Sequence, residues 1–328
     1  MKIDIVYMWV DGNDPIWSAK RNRYLPSAKK QNAQAFGDCR FVERDELKYS
    51  LRSIEMFAPW INHIFIVTDN QTPKWIDTSN RKITIIDHKE ILPQEALPTF
   101  NSTVIELGLA NIPGLSEHFL LSNDDMMFNR SVSPRFFFTD GGKPICRFMK
   151  KTRLYSIIEK ICGIESKFSI YNEIVDRASS LISKDYSTDF MPYIQHHNID
   201  AYSKSSVLEC MQRYKDLIGE TIVNRFRTEY DFHRHAFALY SIVKGHAIMK
   251  TESDLTNKIY RTFYKTKLFK NVDSIVVQIG RNDIKEMLER LNPALVCFND
   301  GESFTEEDHS RMSNLLEGIY SLKSSFEK

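Results

Sequence analysis

Apolar residues in the first half of the chain gather in short runs that end in polar residues, separated by stretches with helical spacing. Ile3–Val10 is the first such run and predicts a strand, closed by the turn formers Asp11-Gly12-Asn13-Asp14-Pro15. Leu47, Leu51, Ile54 and Phe57 recur at three- and four-residue steps, so Asp45–Phe57 predicts an amphipathic helix with Asp45 as its N-cap or first-turn acid. His63–Asp69 and Lys82–His88 predict buried strands, with turn signals at Pro73 and Asn80 between them. Asn101 predicts the cap of a second helix, Ser102–Ile112, which stops at Pro113-Gly114. His118–Asp125 is another apolar run, and it meets two acids. Strands alternating with helices predict an α/β, Rossmann-like layer: a mostly parallel sheet flanked by helices. Ligands of such sheets bind outside the carboxyl ends of the strands, where Asp11, Asp69 and Asp124 would sit.

The second half reads as more helical, with candidates at Ser203–Leu217, His233–Lys244, Asp283–Leu291 and Glu306–Ser321. No internal repeat or low-complexity tract interrupts it. A division into residues 1–150 and 151–328 is expected, without a flexible linker and within one continuous unit.

Composition narrows the function. The chain has 328 residues, 42% hydrophobic and 27% charged, which suits one large globular unit or two closely joined ones. Forty-four basic and 43 acidic side chains leave a net charge of +1, so no global charge draws the protein to nucleic acid. The five cysteines lack the close spacing of a zinc or dithiol motif and read as reduced thiols. No apolar run approaches the roughly 20 residues of a membrane span, and Asp11 arrives too early for a signal peptide. A cytoplasmic setting is expected.

The chemistry concentrates at the ends of apolar runs. Asn123-Asp124-Asp125 can hold a divalent cation against a diphosphate, because hard oxygen ligands suit Mg²⁺. Pro98-Thr99-Phe100-Asn101-Ser102 joins an amide and two hydroxyls to a helix start, a cradle for phosphate or sugar, although taken alone Asn101 reads as a plain helix cap. Phe298-Asn299-Asp300-Gly301 closes another apolar run and read alone is a turn. In the second half, His196 and His197 offer an imidazole base, while Arg225 and Arg227 offer a phosphoryl clamp. Spacing alone does not bring these groups together.

Taken in order, the segments resemble the Stealth family of hexose-1-phosphate transferases, which includes bacterial capsule polymerases and the catalytic subunit of the lysosomal N-acetylglucosamine-1-phosphotransferase. The matching blocks are Ile3–Pro15, Arg44–Phe128, His197 through Lys204 to Arg227–Asp231, and Cys297–Asp300. The second block is long and specific; the third and fourth depend on it. The resemblance implies a glycosyltransferase-A-like fold in which residues 1–150 bind a nucleotide sugar and 151–328 complete the active site.

It also implies an active site lined by Asp14, Asp124, Asp125, His197, Arg227, Asp231, Asn299 and Asp300. His197, Arg227, Asp124 and Asp231 would be catalytic. Asp14, Asn101, Ser102 and Asn299 would bind substrate, and Asp124, Asp125 and Asp300 would hold Mg²⁺ or Mn²⁺. His197 is preferred to His196 because Lys204 follows it by seven positions, but the chain has His197-Asn198-Ile199 where the family often has His-x-Pro, so His196 stays open. The implied reaction moves hexose 1-phosphate from a UDP-sugar to a hydroxyl of an oligosaccharide or polysaccharide acceptor and releases UMP. The partners are that donor and acceptor, with no nucleic acid and with room for peripheral membrane attachment. The basic residues Arg147–Arg153 could hold an anionic growing chain. A metal-dependent glycosyltransferase releasing UDP and a non-catalytic carbohydrate-binding protein are the alternatives.

Overall fold

A computed structural model describes residues 1–25, 41–150, 170–253, 259–260, 262–266, 268–299 and 304–328. The expected first-half strands are present as β1 (Ile3–Met8), β2 (Ile64–Thr68), β3 (Ile83–Asp87) and β4 (His118–Asn123). They stand in one sheet in the order β3-β2-β1-β4, all parallel. A fifth strand from the second half, β8 (Asp200–Ser203), joins the free edge of β4 antiparallel, with His118 opposite Ser203.

Both faces of this sheet are covered, which explains why its strands read as unbroken apolar runs rather than alternating ones. Val6, Phe65, Val67, Phe119 and Leu121 enter one core, while Ile5, Tyr7, Ile64, Ile66 and Leu120 enter the other. Burying such a side chain stabilises the fold by about 1.5–3 kcal/mol relative to leaving it in water.

The first helices are α1 (Pro15–Tyr24), α2 (Glu46–Phe57), the short α3 (His88–Ile91) and α4 (Ser102–Gly108). In α2 the expected apolar face holds: Leu47, Leu51 and Ile54 are fully buried. Asp45 stands at the N-cap position, as expected. Asp45 takes a left-handed backbone (φ 66°) and makes no side-chain cap bond; Glu46 instead accepts from the Arg44 amide at 2.7 Å. Asn101 does cap α4, accepting from the Thr103 amide at 3.0 Å, but regular helix ends at Gly108 and a 3₁₀ turn completes the segment.

The second half contains helices near the expected places: α6 (Lys204–Arg213), α7 (Lys215–Ile222), α8 (His235–Val243), α9 (Ile284–Leu291) and α10 (Glu306–Ile319). The long helix α5 (Ile170–Tyr186) precedes them and was not anticipated. Nor were most of the strands. The short β5 (Met126–Phe128) pairs antiparallel with β11 (Leu295–Asn299), which runs parallel to β10 (Ser274–Gln278). A third sheet places β6 (Ile145–Lys150) between β7 (Tyr193–Gln195) and β9 (Ile248–Ser253). The Phe298-Asn299 pair therefore ends a strand rather than making a free-standing turn.

Candidate active site

In the order 3-2-1-4 the chain leaves β1 toward one side of the sheet and returns at β4 on the other, so a crevice opens beyond the paired ends Met8 and Asn123. A cleft of about 620 Å³ lies there. That volume suits a nucleotide-sized ligand. The cleft is walled by Trp9, Trp17, Phe41 and Phe100 together with Glu46, Ser102, Glu106, Asp124, Asp125, His197, Arg227, Arg234 and Asn299.

Each polar group arrives on a defined support. Asp124 and Asp125 make the turn that carries the chain from β4 into β5. The Asp125 carbonyl accepts from the Phe298 amide at 2.9 Å, so the end of β11 and Asn299 lie against the acidic turn. His197 sits three residues ahead of β8, whose pairing with β4 draws it to the same strand end. Gly12 packs directly on the Phe41 backbone, its amide donating to the Phe41 carbonyl at 2.7 Å. A Cβ there would collide with that carbonyl. The segment that begins at Phe41 and leads to Glu46 is thereby held close to the end of β1.

Arg227 is fixed by a second layer. Its guanidinium donates to the Ser102 hydroxyl. Behind them, Asp231 is buried and accepts from Asn101 Nδ2 (2.7 Å), Asn224 Nδ2 (2.8 Å), the Thr228 amide (3.0 Å) and the Thr228 hydroxyl (2.9 Å). The loop of Arg227 and the start of α4 are therefore clasped together. Glu106 and Arg234 pair beside them at 3.2 Å, and Arg234 also reaches Asp200 at 2.5 Å.

The cleft is electrically divided. At the acidic end, burial and the neighbouring Asp125 push the Asp124 carboxyl up to about 7, and burial with the charge of Asp124 pushes Glu46 up to about 7. Two crowded carboxyls that resist ionising are what a divalent cation would relieve, so the donor set fits one. At the other end, burial lowers Arg227 from its ordinary value against the upward pull of Glu106. His197 lies between the two. Burial first, then Arg234 and Arg227, depress its imidazole to about 4, which leaves it neutral and able to accept a proton. One donor atom from each of Asp125, His197 and Cys297 falls within 4.8 Å of the others, a grouping that also points to a divalent metal.

Six of the residues expected from the sequence meet in this cleft: Asp124, Asp125, His197, Arg227, Ser102 and Asn299. His196 faces elsewhere, its ring bonded to the Ser274 hydroxyl at 2.9 Å. Asp231 and Asn101 stand behind the wall and bond to each other. Asp14 is engaged locally. It caps α1, accepting from the Ile16 and Trp17 amides at 2.8 Å, and does not line the cleft. Asp11 and Asp69 are also turned to local partners, Asp69 to Lys20 at 2.5 Å and Asp11 to the Asn13 amide at 2.9 Å. Asp300 lies outside the described residues, as do Lys151 and Arg153. Arg147 is engaged by Asp273 at 3.0 Å. Glu46, Glu106 and Arg234 line the cleft and were not anticipated. Glu46 carried a signal, since it stands within the long specific block beginning at Arg44.

An acidic turn, an imidazole and a buried guanidinium thus meet at the strand ends of one α/β layer. Residues 1–28 match the family model described as Stealth protein CR1, conserved region 1, and residues 40–145 match Stealth protein CR2, conserved region 2. The chain belongs to the Stealth family. It is 32% identical over 336 residues to an exopolysaccharide phosphotransferase of Streptomyces coelicolor, covering 99% of this chain and 52% of that protein. It is 32% identical over 337 residues to the capsular polysaccharide phosphotransferase SacB of Neisseria meningitidis serogroup A, covering 99% and 57%. An exopolysaccharide phosphotransferase of Lactiplantibacillus plantarum is 49% identical over 142 residues, 43% of this chain and 41% of that one. The chain spans about half the length of the curated relatives it matches. Among solved structures, the galactosyltransferase LgtC in complex with donor and acceptor sugar analogues aligns over 98% of this chain and 96% of its own, at 11% identity and a TM-score of 0.43.

Proposed function

We propose that this protein transfers hexose 1-phosphate from a UDP-sugar to a hydroxyl of an oligosaccharide or polysaccharide, in the synthesis of a capsular or exopolysaccharide. The observation that carries the reading is the meeting of Asp124, Asp125, His197 and Arg227, drawn from three separate chain segments, around one cleft at the strand ends. Membership of the Stealth family and the phosphotransferase names of its relatives supply the reaction type.

In this reading the nucleoside diphosphate lies across the crevice, with its base toward Trp17 and Phe100. These rings meet edge to face at 5.6 Å. Mg²⁺ or Mn²⁺ held by Asp124 and Asp125 would offset charge on the departing phosphate. Neutral His197 takes the proton of the acceptor hydroxyl as its oxygen attacks the β-phosphorus. The bond from that phosphorus to the bridging oxygen breaks, and UMP leaves with the electron pair. Arg227 holds the equatorial oxygens while Ser102 and the Asp231 clasp hold Arg227. The donor's anomeric bond is untouched, so the product is a phosphodiester. Such a transfer depends mainly on positioning and charge stabilisation, which these groups can supply.

Domain roles follow the same reading: residues 1–150 supply the donor crevice and 151–328 bring the base and the guanidinium. A cytoplasmic setting with peripheral membrane attachment belongs to it too. The unpaired, buried thiols of Cys146, Cys210 and Cys297 support a reducing compartment. Among the described residues, no helix is long and apolar enough to cross a membrane.

The test is incubation with a panel of UDP-sugars, Mg²⁺ and a capsular oligosaccharide. A phosphodiester signal in ³¹P NMR with stoichiometric UMP is expected. Release of UDP instead would make the protein a glycosyltransferase, and donor binding without turnover would make it a carbohydrate-binding protein.

A further inference from the structure

The acidic turn has a neighbour that the transfer reaction leaves unused. Cys297 lies on β11 directly opposite Met126 of β5, fully buried, and its thiol donates to Asp125 Oδ2 at 3.3 Å. His197 approaches the same carboxylate from the second half of the chain, and the three donor atoms fall within 4.8 Å of one another. Among the described residues no hydrogen bond anchors the His197 ring to another protein group, so its nitrogens are open to a ligand.

We propose that Asp125, His197 and Cys297 form a binding site for Zn²⁺, distinct in chemistry from the oxygen-only site of Mg²⁺, and that its filling shuts the transferase down. A carboxylate oxygen, an imidazole nitrogen and a thiolate sulfur are the ligand types of zinc, at about 2.0–2.2 Å for oxygen and nitrogen and 2.3 Å for sulfur. Mg²⁺ prefers an all-oxygen shell. Inward movement of side chains, without a change of fold, brings donors already this close onto one ion. Three protein ligands leave a fourth tetrahedral position for water or a phosphate oxygen. On binding, the Cys297 thiol gives its proton to solvent, the imidazole binds neutral, and no redox partner is needed. The captured imidazole is then unable to take a proton from the acceptor, and Asp125 is withdrawn from Mg²⁺. Metal binding stands on the geometry alone; the inhibition rests on the transferase reading.

The experiment titrates the full chain with Co²⁺, a spectroscopic stand-in for zinc, in excess Mg²⁺. A near-ultraviolet thiolate-to-cobalt band is expected, bleached by Zn²⁺ and not by Mg²⁺. Cys297→Ser should abolish the band, and His197→Ala, which removes a ligand, should weaken binding at least as much as the roughly 10–100-fold that loss of an outer-shell partner costs. Zinc-edge X-ray absorption of the wild-type chain, which avoids any folding defect of the variants, should find one sulfur at about 2.3 Å. A shell without sulfur, or a band unchanged in Cys297→Ser, overturns the proposal. Zn²⁺ should also suppress phosphodiester formation, reversed by chelation and fresh Mg²⁺; a zinc–sulfur site on an enzyme that Zn²⁺ does not slow overturns the inhibitory half. Absence of UMP release without zinc would instead count against the transferase reading, while a cobalt band and a zinc–sulfur distance would still establish the metal site.

Discussion

Arg227 and Ser102 are 125 positions apart in sequence, yet the guanidinium donates to the hydroxyl inside a cleft that also contains the acids. A planar fork can keep that bond and still present another edge to phosphoryl oxygens; a lysine ammonium is a single point charge. Arg227→Lys should therefore lower kcat by about 10²–10³ with the fold intact. Steady-state kinetics with circular dichroism checks this, and unchanged turnover would remove Arg227 from the reaction. At this scale the sequence was informative about acids at the ends of apolar runs and about the imidazole. It did not reveal local uses: Asp14 caps a helix. It was silent where the partner is remote. Glu46 looks like an ordinary first-turn acid until β4 brings Asp124 beside it, and Arg234 acquires its role only from Glu106 and Asp200.

Among elements, the clasp between the start of α4 and the loop that bears Arg227 is a hydrogen-bonded joint. Asp231→Ala leaves the buried Asn101 amide, the half-buried Asn224 amide and the Thr228 donors without this acceptor. Chemical denaturation should register a loss of about 3 kcal/mol, with activity falling further than stability because Arg227 loses its seat. A variant as active and as stable as the wild type would show that the joint is not needed. Elements differed in how readable they were. The core strands of the main sheet were visible because both of their faces are apolar and Gly, Pro or Asn bounds them. The strand Asp200–Ser203 has only four residues, opening on Asp and closing on Ser, and exists because β4 offers it an edge. The three-residue β5 and β7 similarly take their conformation from partners far along the chain.

Over the whole molecule, the uneven charge of the cleft should set a pH signature. Asp124 and Glu46 have carboxyl values near 7, raised above the usual carboxylate range near 4. Their contribution to folded stability is full at low pH and is lost as pH rises through about 7. His197, depressed to about 4, acts oppositely: its contribution is present above its usual value near 6.5 and is lost as pH falls toward 4. Two carboxyls outweigh one imidazole, so these groups together should make the metal-free protein less stable as pH rises from about 5 to 8. Mg²⁺ should raise Tm strongly at pH 8 and little at pH 5, because it binds ionised carboxyls. Differential scanning calorimetry with and without Mg²⁺ tests this; an equal shift at both pH values would place the cation elsewhere.

The edge pairing of β8 against β4 also bears on how such a chain can change over evolutionary time. Because strand side chains alternate between faces, inserting or deleting a single residue between His197 and Asp200 would force either a shifted ladder or a misaimed ring. The stretch is therefore a fixed-length tether, tolerant of altered composition yet intolerant of altered count.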